Sequence, residues 1–229
     1  MQSVLYLCGD IHGEFKTLLD WNTKVENANA IQVGDFGVGF RDPAEDQATL
    51  MEIGAALEER GNSIYVIRGN HDKPEWFDGR AYGGLVLVPD ESVLSLNGKN
   101  LLCVGGAVSV DRTLRLEGRD WWANEKMNWE GDLPEERIHA LITHAGGSWT
   151  GLKPESPYLS AWHAKDENLL ADLRHEILQH DRLAEALLKA GHPLTRWYCG
   201  HYHLPLNNEV GGILCRGLEI DEFASWQWE

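Results

Sequence analysis

Apolar and polar positions fall into blocks that repeat along the chain. "VLYLC" at 4–8 is short and apolar and stops at Gly9-Asp10, which predicts a buried strand. "EFKTLLDWNTKV" after it spaces Phe15, Leu18, Leu19 and Val25 as one face of a helix. The pattern then recurs. "AIQV" stops at Gly34-Asp35, and Asp42-Pro43 supplies an N-cap and a first-turn proline for a helix over "AEDQATLMEIGAALEER". "SIYVI" leads through Arg68 into Gly69-Asn70-His71. Successive strand–loop–helix units predict a largely parallel sheet with helices on its faces and ligands at the carboxyl ends of its strands.

From 84 to 110 the texture changes to short runs, "GLVLVP", "SVLSL" and "NLLCVGGAVSV", separated by Pro-Asp and Asn-Gly turn signals. A second, mixed or antiparallel sheet is expected there. "ALIT" at 140–143 is a further strand ending at His144. A long helical pattern over about 166–190 ends at Gly191-His192-Pro193, and "RWYC" then runs into Gly200-His201-Tyr202-His203. Two β-layers flanked by helices are implied.

Composition narrows the picture without choosing a chemistry. The 229 residues are 43% hydrophobic and 24% charged, with no composition break, so a single domain over 1–229 is expected. "MQSVLYLCGD" lacks the basic start and long apolar region of a signal peptide, and no apolar run is long enough to span a bilayer; a cytoplasmic location without membrane association is the expectation. Cys8, Cys103, Cys199 and Cys215 form no Cys-x-x-Cys pair and read as reduced core residues. The net charge of −16 disfavours binding of long nucleic acid, which rests on cations neutralising phosphates.

The chemistry lies where the strands end. Asp10 and His12, Asp35, Asn70 and His71, His144, and His201 and His203 each follow a strand-like run. A lone Asp or His in such a place is usually a turn former. Five in order form a mixed nitrogen and oxygen donor set suited to Mn, Fe, Zn, Co or Ni rather than to a calcium cage. In an extended segment, residues two apart face the same side, so both members of Asp10-x-His12 and of His201-x-His203 can point into one site.

The motifs "GDIH", "VGDF", "RGNHD", "ITHAG" and "CGHYH", in this order over residues 9–203, resemble those of the calcineurin-like metallophosphoesterase superfamily, and the segment "GGAVSVDRTLRLEGRDWWANE" resembles, more loosely, its small bacterial and phage members. The resemblance implies a four-layer αββα sandwich with two divalent metals, manganese foremost, at one end. Asp10, His12 and His203 would hold one metal, and Asn70, His144 and His201 the other. Asp35 would bridge both, offsetting the repulsion of two neighbouring cations. A water activated between the metals near neutral pH would attack phosphorus in line with the leaving oxygen. His71 resembles the general acid, with a hydrogen-bonding role at the rim of the site as the alternative. Asp72 would either hold the His71 imidazole or cap the loop.

The Ser/Thr protein phosphatases of this superfamily carry Gly-Asp-x-x-Asp-Arg-Gly, whereas here Val38 and Gly39 stand where that Asp and Arg would be. That departure disfavours a phosphoprotein phosphatase. Phosphate calls for an arginine beyond the metals, with Arg41, Arg68, Arg112 and Arg115 as candidates. Arg112 is favoured for substrate binding, against a solvated surface charge, with Arg41 beside it. Trp121, Trp122 and Trp129 read as a packed flap before a base-stacking wall. The expected substrate is a small phosphomonoester or phosphodiester; a nuclease or a non-catalytic scaffold of the same fold are the more distant alternatives.

Overall fold

The computed structural model describes residues 4–226, so the first three residues of the amino-terminal stretch read above lie outside it. The first sheet takes β1 (Leu5–Cys8), β2 (Asn29–Gln32), β3 (Ser63–Val66), β4 (Ala81–Tyr82), β5 (Leu85–Leu87) and β12 (Phe223–Trp226), in the order β12-β1-β2-β3-β5-β4. Its four inner strands are parallel and both edge strands antiparallel. The second sheet takes β6 (Ser92–Leu96), β7 (Lys99–Val104), β8 (Ile138–Thr143), β9 (Arg196–Cys199), β10 (Asn207–Val210) and β11 (Ile213–Gly217), in the order β10-β11-β9-β8-β7-β6. It too is parallel inside and antiparallel at both edges.

The strands read as continuous apolar runs because each sheet is covered on both faces. Leu5 and Leu7 of β1 pack with Ala140 and Ile142 of β8 and with Tyr198 of β9, between the sheets. Cys8 turns the other way, into the layer under α1 (Lys16–Asn22) and α2 (Pro43–Glu58), where Leu18, Trp21, Leu50 and Leu57 are buried. Leu141 and Trp197 face outward from the second sheet onto Leu183 and Leu187 of α4 (Leu169–Lys189). The short helix α3 (Ser160–His163) precedes α4. Each such buried side chain contributes about 1.5–3 kcal/mol. The result is the four-layer αββα sandwich, and all four cysteines are free and buried within it.

Most elements fall where the hydrophobic pattern puts them, and the exceptions have local causes. Asp42 caps α2 by accepting from the Ala44 N–H, with Pro43 in the first turn. Helix α1 stops at Asn22, before Val25. The run "GLVLVP" was expected to open the second sheet, but β5 pairs in parallel with β3 and extends the first; the second begins with the β6–β7 hairpin at Asn97-Gly98. Among the described residues, no helix is long and apolar enough to cross a membrane.

Candidate metal centre

The loops after β1, β2, β3, β8 and β9 meet at one end of the sandwich, and the backbone there is strained. His12, Asp35, His201 and His203 have φ of 50°, 56°, 64° and 54°. Left-handed backbone in a residue other than glycine costs of order 1–3 kcal/mol and persists only where its surroundings enforce it. Here they do. The Asp35 carbonyl accepts from the N–H groups of Ile11 and His12, and Asp35 Oδ1 accepts from the His71 N–H at 2.7 Å. The Asp10 carboxylate accepts from the His201 N–H at 3.0 and 3.2 Å. Gly69 leaves the room this requires, since a Cβ there would lie 2.1 Å from both the amide nitrogen and Oδ1 of Asp35.

Seven side chains converge. Asp10, His12, Asp35 and His203 form one donor group, and Asp35, His144 and His201 form another. His203 Nε2 lies 3.0 Å from Asp10 Oδ2 and 3.0 Å from His12 Nε2, while His12 Nε2 is 3.8 Å from Asp35 Oδ2. In the second group Asp35 Oδ1 is 3.2 Å from His144 Nε2, and Asn70 Oδ1 sits 3.0 Å from both His144 Nε2 and His201 Nδ1. Ligands at right angles around a cation, each about 2.1 Å from it, stand about 3 Å apart. The donors therefore fit two divalent ions with Asp35 common to both. His144 gives an independent test of that fit: its Nδ1 donates to the Val33 carbonyl at 2.8 Å, which leaves the Nε2 lone pair facing the site.

Asn70 is fixed in the same way. Its Nδ2 donates to Ser109 Oγ at 2.9 Å, and Ser109 donates to the buried Glu125 carboxylate at 2.6 Å. The chain Glu125–Ser109–Asn70 thus turns the amide oxygen toward the histidines. Nothing near the metal motifs signals it, because both partners come from the segment after β7.

The titrating groups of the centre are shifted in opposite directions, and burial holds His201 well below the usual imidazole range. Burial opposes charge on His144, but the Asp35 carboxylate overcomes it and raises the imidazole to about 10. The bond to Asp10 likewise raises His203. Burial would raise Asp35, yet His144, His71 and His12 together hold it well below the usual carboxylate range. His71 stands at the mouth, its ring edge-on to His12 and stacked on Phe40, and burial lowers its imidazole.

Several expected roles are changed by the surroundings. Asp72 does not reach the His71 ring: its oxygens accept from the backbone N–H groups of Phe36, Gly37, Val38 and Gly69, so it caps and joins two loops. Arg112 is not at the substrate side either, since Asp166 and Asp172 hold it at 2.5 and 2.6 Å and its side chain is only 10% exposed. Arg68 is buried against Asp90 and the carbonyls of Asn124, Glu125 and Lys126. Arg41 does line the cleft beside His71, with its guanidinium over the Phe15 ring. Trp122 is buried edge-on to Phe40, as expected of a packed flap. The pairs two residues apart reach the centre through left-handed turns rather than extended backbone, and His201 and His203 serve different donor groups.

Comparison with known proteins bears on the family and the fold. A UDP-2,3-diacylglucosamine hydrolase from Neisseria gonorrhoeae (strain ATCC 700825 / FA 1090) is 33% identical over 86 residues, which span 37% of this chain and 36% of that protein. The crystal structure of TT1561 of Thermus thermophilus superposes with a TM-score of 0.53 at 11% identity, covering 99% of both chains, and so shares the fold. The calcineurin-like phosphoesterase family matches residues 4–205. The chain belongs to that family of metal-dependent phosphoric ester hydrolases.

Proposed function

We propose that this enzyme hydrolyses small phosphoric esters, mono- or diesters of about nucleotide size, with two ions of the manganese class. Asp10, His12 and His203 would hold the first, Asn70, His144 and His201 the second, and Asp35 both. The supporting observation is a cleft of about 180 Å³ beside the donors, lined by His12, Gly13, Gly37, Phe40, Arg41 and His71. A compact phosphoryl group with one modest substituent suits a cleft of that size. The net charge of −16 adds to this, because a polyanion gains no long-range attraction. A uridine diphosphate derivative in the name of the Neisseria relative supports an ester of nucleotide size.

When bound, the ions supply an activated water and positive charge for the phosphoryl oxygens. The chain's own groups do the rest. Water that has given up a proton to solvent adds to phosphorus, the bond to the leaving oxygen breaks, and His71 delivers a proton to that oxygen. Asp72 keeps the loop carrying His71 against the Phe36–Val38 turn. Arg41 at the cleft wall is placed to meet an anionic substituent.

A panel of phosphomonoesters, cyclic nucleotides, dinucleotides, phosphopeptides and a long oligonucleotide, assayed with Mn²⁺, tests the substrate class. The small esters should have the highest kcat/KM; a tenfold advantage for the oligonucleotide would refute the reading. His71→Ala should slow esters with poor leaving groups by about 10²–10⁴-fold while sparing p-nitrophenyl esters, with metal content unchanged. Equal slowing of both would remove His71 as the acid.

A further inference from the structure

Four arginines were candidates to meet phosphate, and the structure accounts for them differently. Arg68 and Arg112 are consumed by internal partners. Arg115 is held on the flap with its guanidinium beside the His71 ring. Its Nε and Nη2 donate to the two oxygens of Asp111 at 2.8 and 2.7 Å, and Nη1 donates to the Asp120 carbonyl at 3.2 Å. Nη2 also stands 3.4 Å from His71 Nε2, which places the guanidinium beside the imidazole at the mouth of the cleft. Three of the five guanidinium N–H groups are thereby held by Asp111 and Asp120, and with His71 carrying the acid's proton the other two, one on each terminal nitrogen, have no acceptor among the described residues.

We infer that Arg115 is the arginine that contacts the phosphoryl oxygens, and that Asp111 is the residue that positions it. This rests on the small-ester reading above. An imidazole that protonates the leaving oxygen must come within about 3 Å of it. A guanidinium already beside that imidazole is then within reach of the other oxygens on the same phosphorus. The Asp111 fork fixes the plane of the guanidinium in advance, so little side-chain freedom is lost when phosphate arrives. Arg112, three residues earlier on the flap, ties the segment to Asp166 and Asp172 and keeps Arg115 in place.

The charge of the substrate separates this role from a structural one. A monoester is a dianion near neutral pH and a diester a monoanion, so a cation on the non-bridging oxygens favours the monoester. With p-nitrophenyl phosphate and bis(p-nitrophenyl) phosphate the leaving group is the same. In Mn²⁺-loaded Arg115→Met, kcat/KM should fall about 10- to 100-fold for the monoester and by less than about threefold for the diester. Arg115→Lys, which keeps the charge and loses the fork, should fall between, and so should Asp111→Asn. Arg112→Met should lower both esters equally. Equal loss on both esters in Arg115→Met, no loss on either, or loss of bound metal would overturn the inference. If wild-type protein hydrolyses neither ester, the small-ester reading fails by itself, and calorimetry with inorganic phosphate decides the role of Arg115. A tenfold or larger rise in Kd in Arg115→Met upholds it, and an unchanged Kd refutes it.

Discussion

The two sheets equip the centre unequally. The loops of the first bring Asp10, Asp35 and Asn70, all of the oxygen donors, with His12 as the one imidazole they add to the donor groups; the loops of the second bring only imidazoles, His144, His201 and His203. Each donor group draws on both sheets. The negative charge that offsets two cations therefore belongs to one sheet, and the neutral ligands that complete each site belong largely to the other. Holding two ions side by side thus depends on the sheets keeping their mutual position, which the Leu5, Leu7, Ile142 and Tyr198 layer secures.

This division predicts unequal losses. Asp35→Asn removes the shared charge from both groups and should cost more than one ion per chain by elemental analysis after desalting; a content still at two would end its bridging role. His144→Ala takes a neutral ligand from one group only and should cost about one ion. His203→Ala should do the same for the other group, so that one ion remains in each variant. Loss of both ions in His144→Ala would show that the second sheet, too, sustains the whole centre. Ser109→Ala leaves every ligand in place and only releases the Asn70 amide. It should weaken one ion about 10- to 100-fold by competitive chelation, the usual scale for partners that orient ligands. An unchanged affinity would mean that His144 and His201 alone orient that amide.

The donors were legible because each sits within a few residues of a strand end, where apolar run, glycine and polar side chain can be read together. The alternation of the strands was legible for the same reason, since Leu5, Leu7 and Cys8 declare two covered faces in one short segment. What the sequence left open, as at Asp72, or missed, as at Arg112, depends on distant partners. Asp72 is defined by the Phe36–Val38 backbone, Arg112 by Asp166 and Asp172, and Asn70 by Ser109 and Glu125. No local pattern reports such pairings. The left-handed turns at His201 and His203 were hidden as well, because residue type alone points to extended backbone there.

Asp10 and His203 touch at 3.0 Å, and β12 closes the first sheet by pairing with β1. A ribosome working at about 5–20 residues per second takes roughly 10–40 s to add the second member of the Asp10–His203 pair to the first. Throughout that time β1 offers one edge of unpaired peptide groups to any neighbouring chain. Nascent protein holding Asp10, His12 and Asp35 already attracts cations but cannot enclose one. Both donor groups stay incomplete until His201 and His203 are added, so a chain ended early would carry the acidic half of the centre without the imidazoles that complete it.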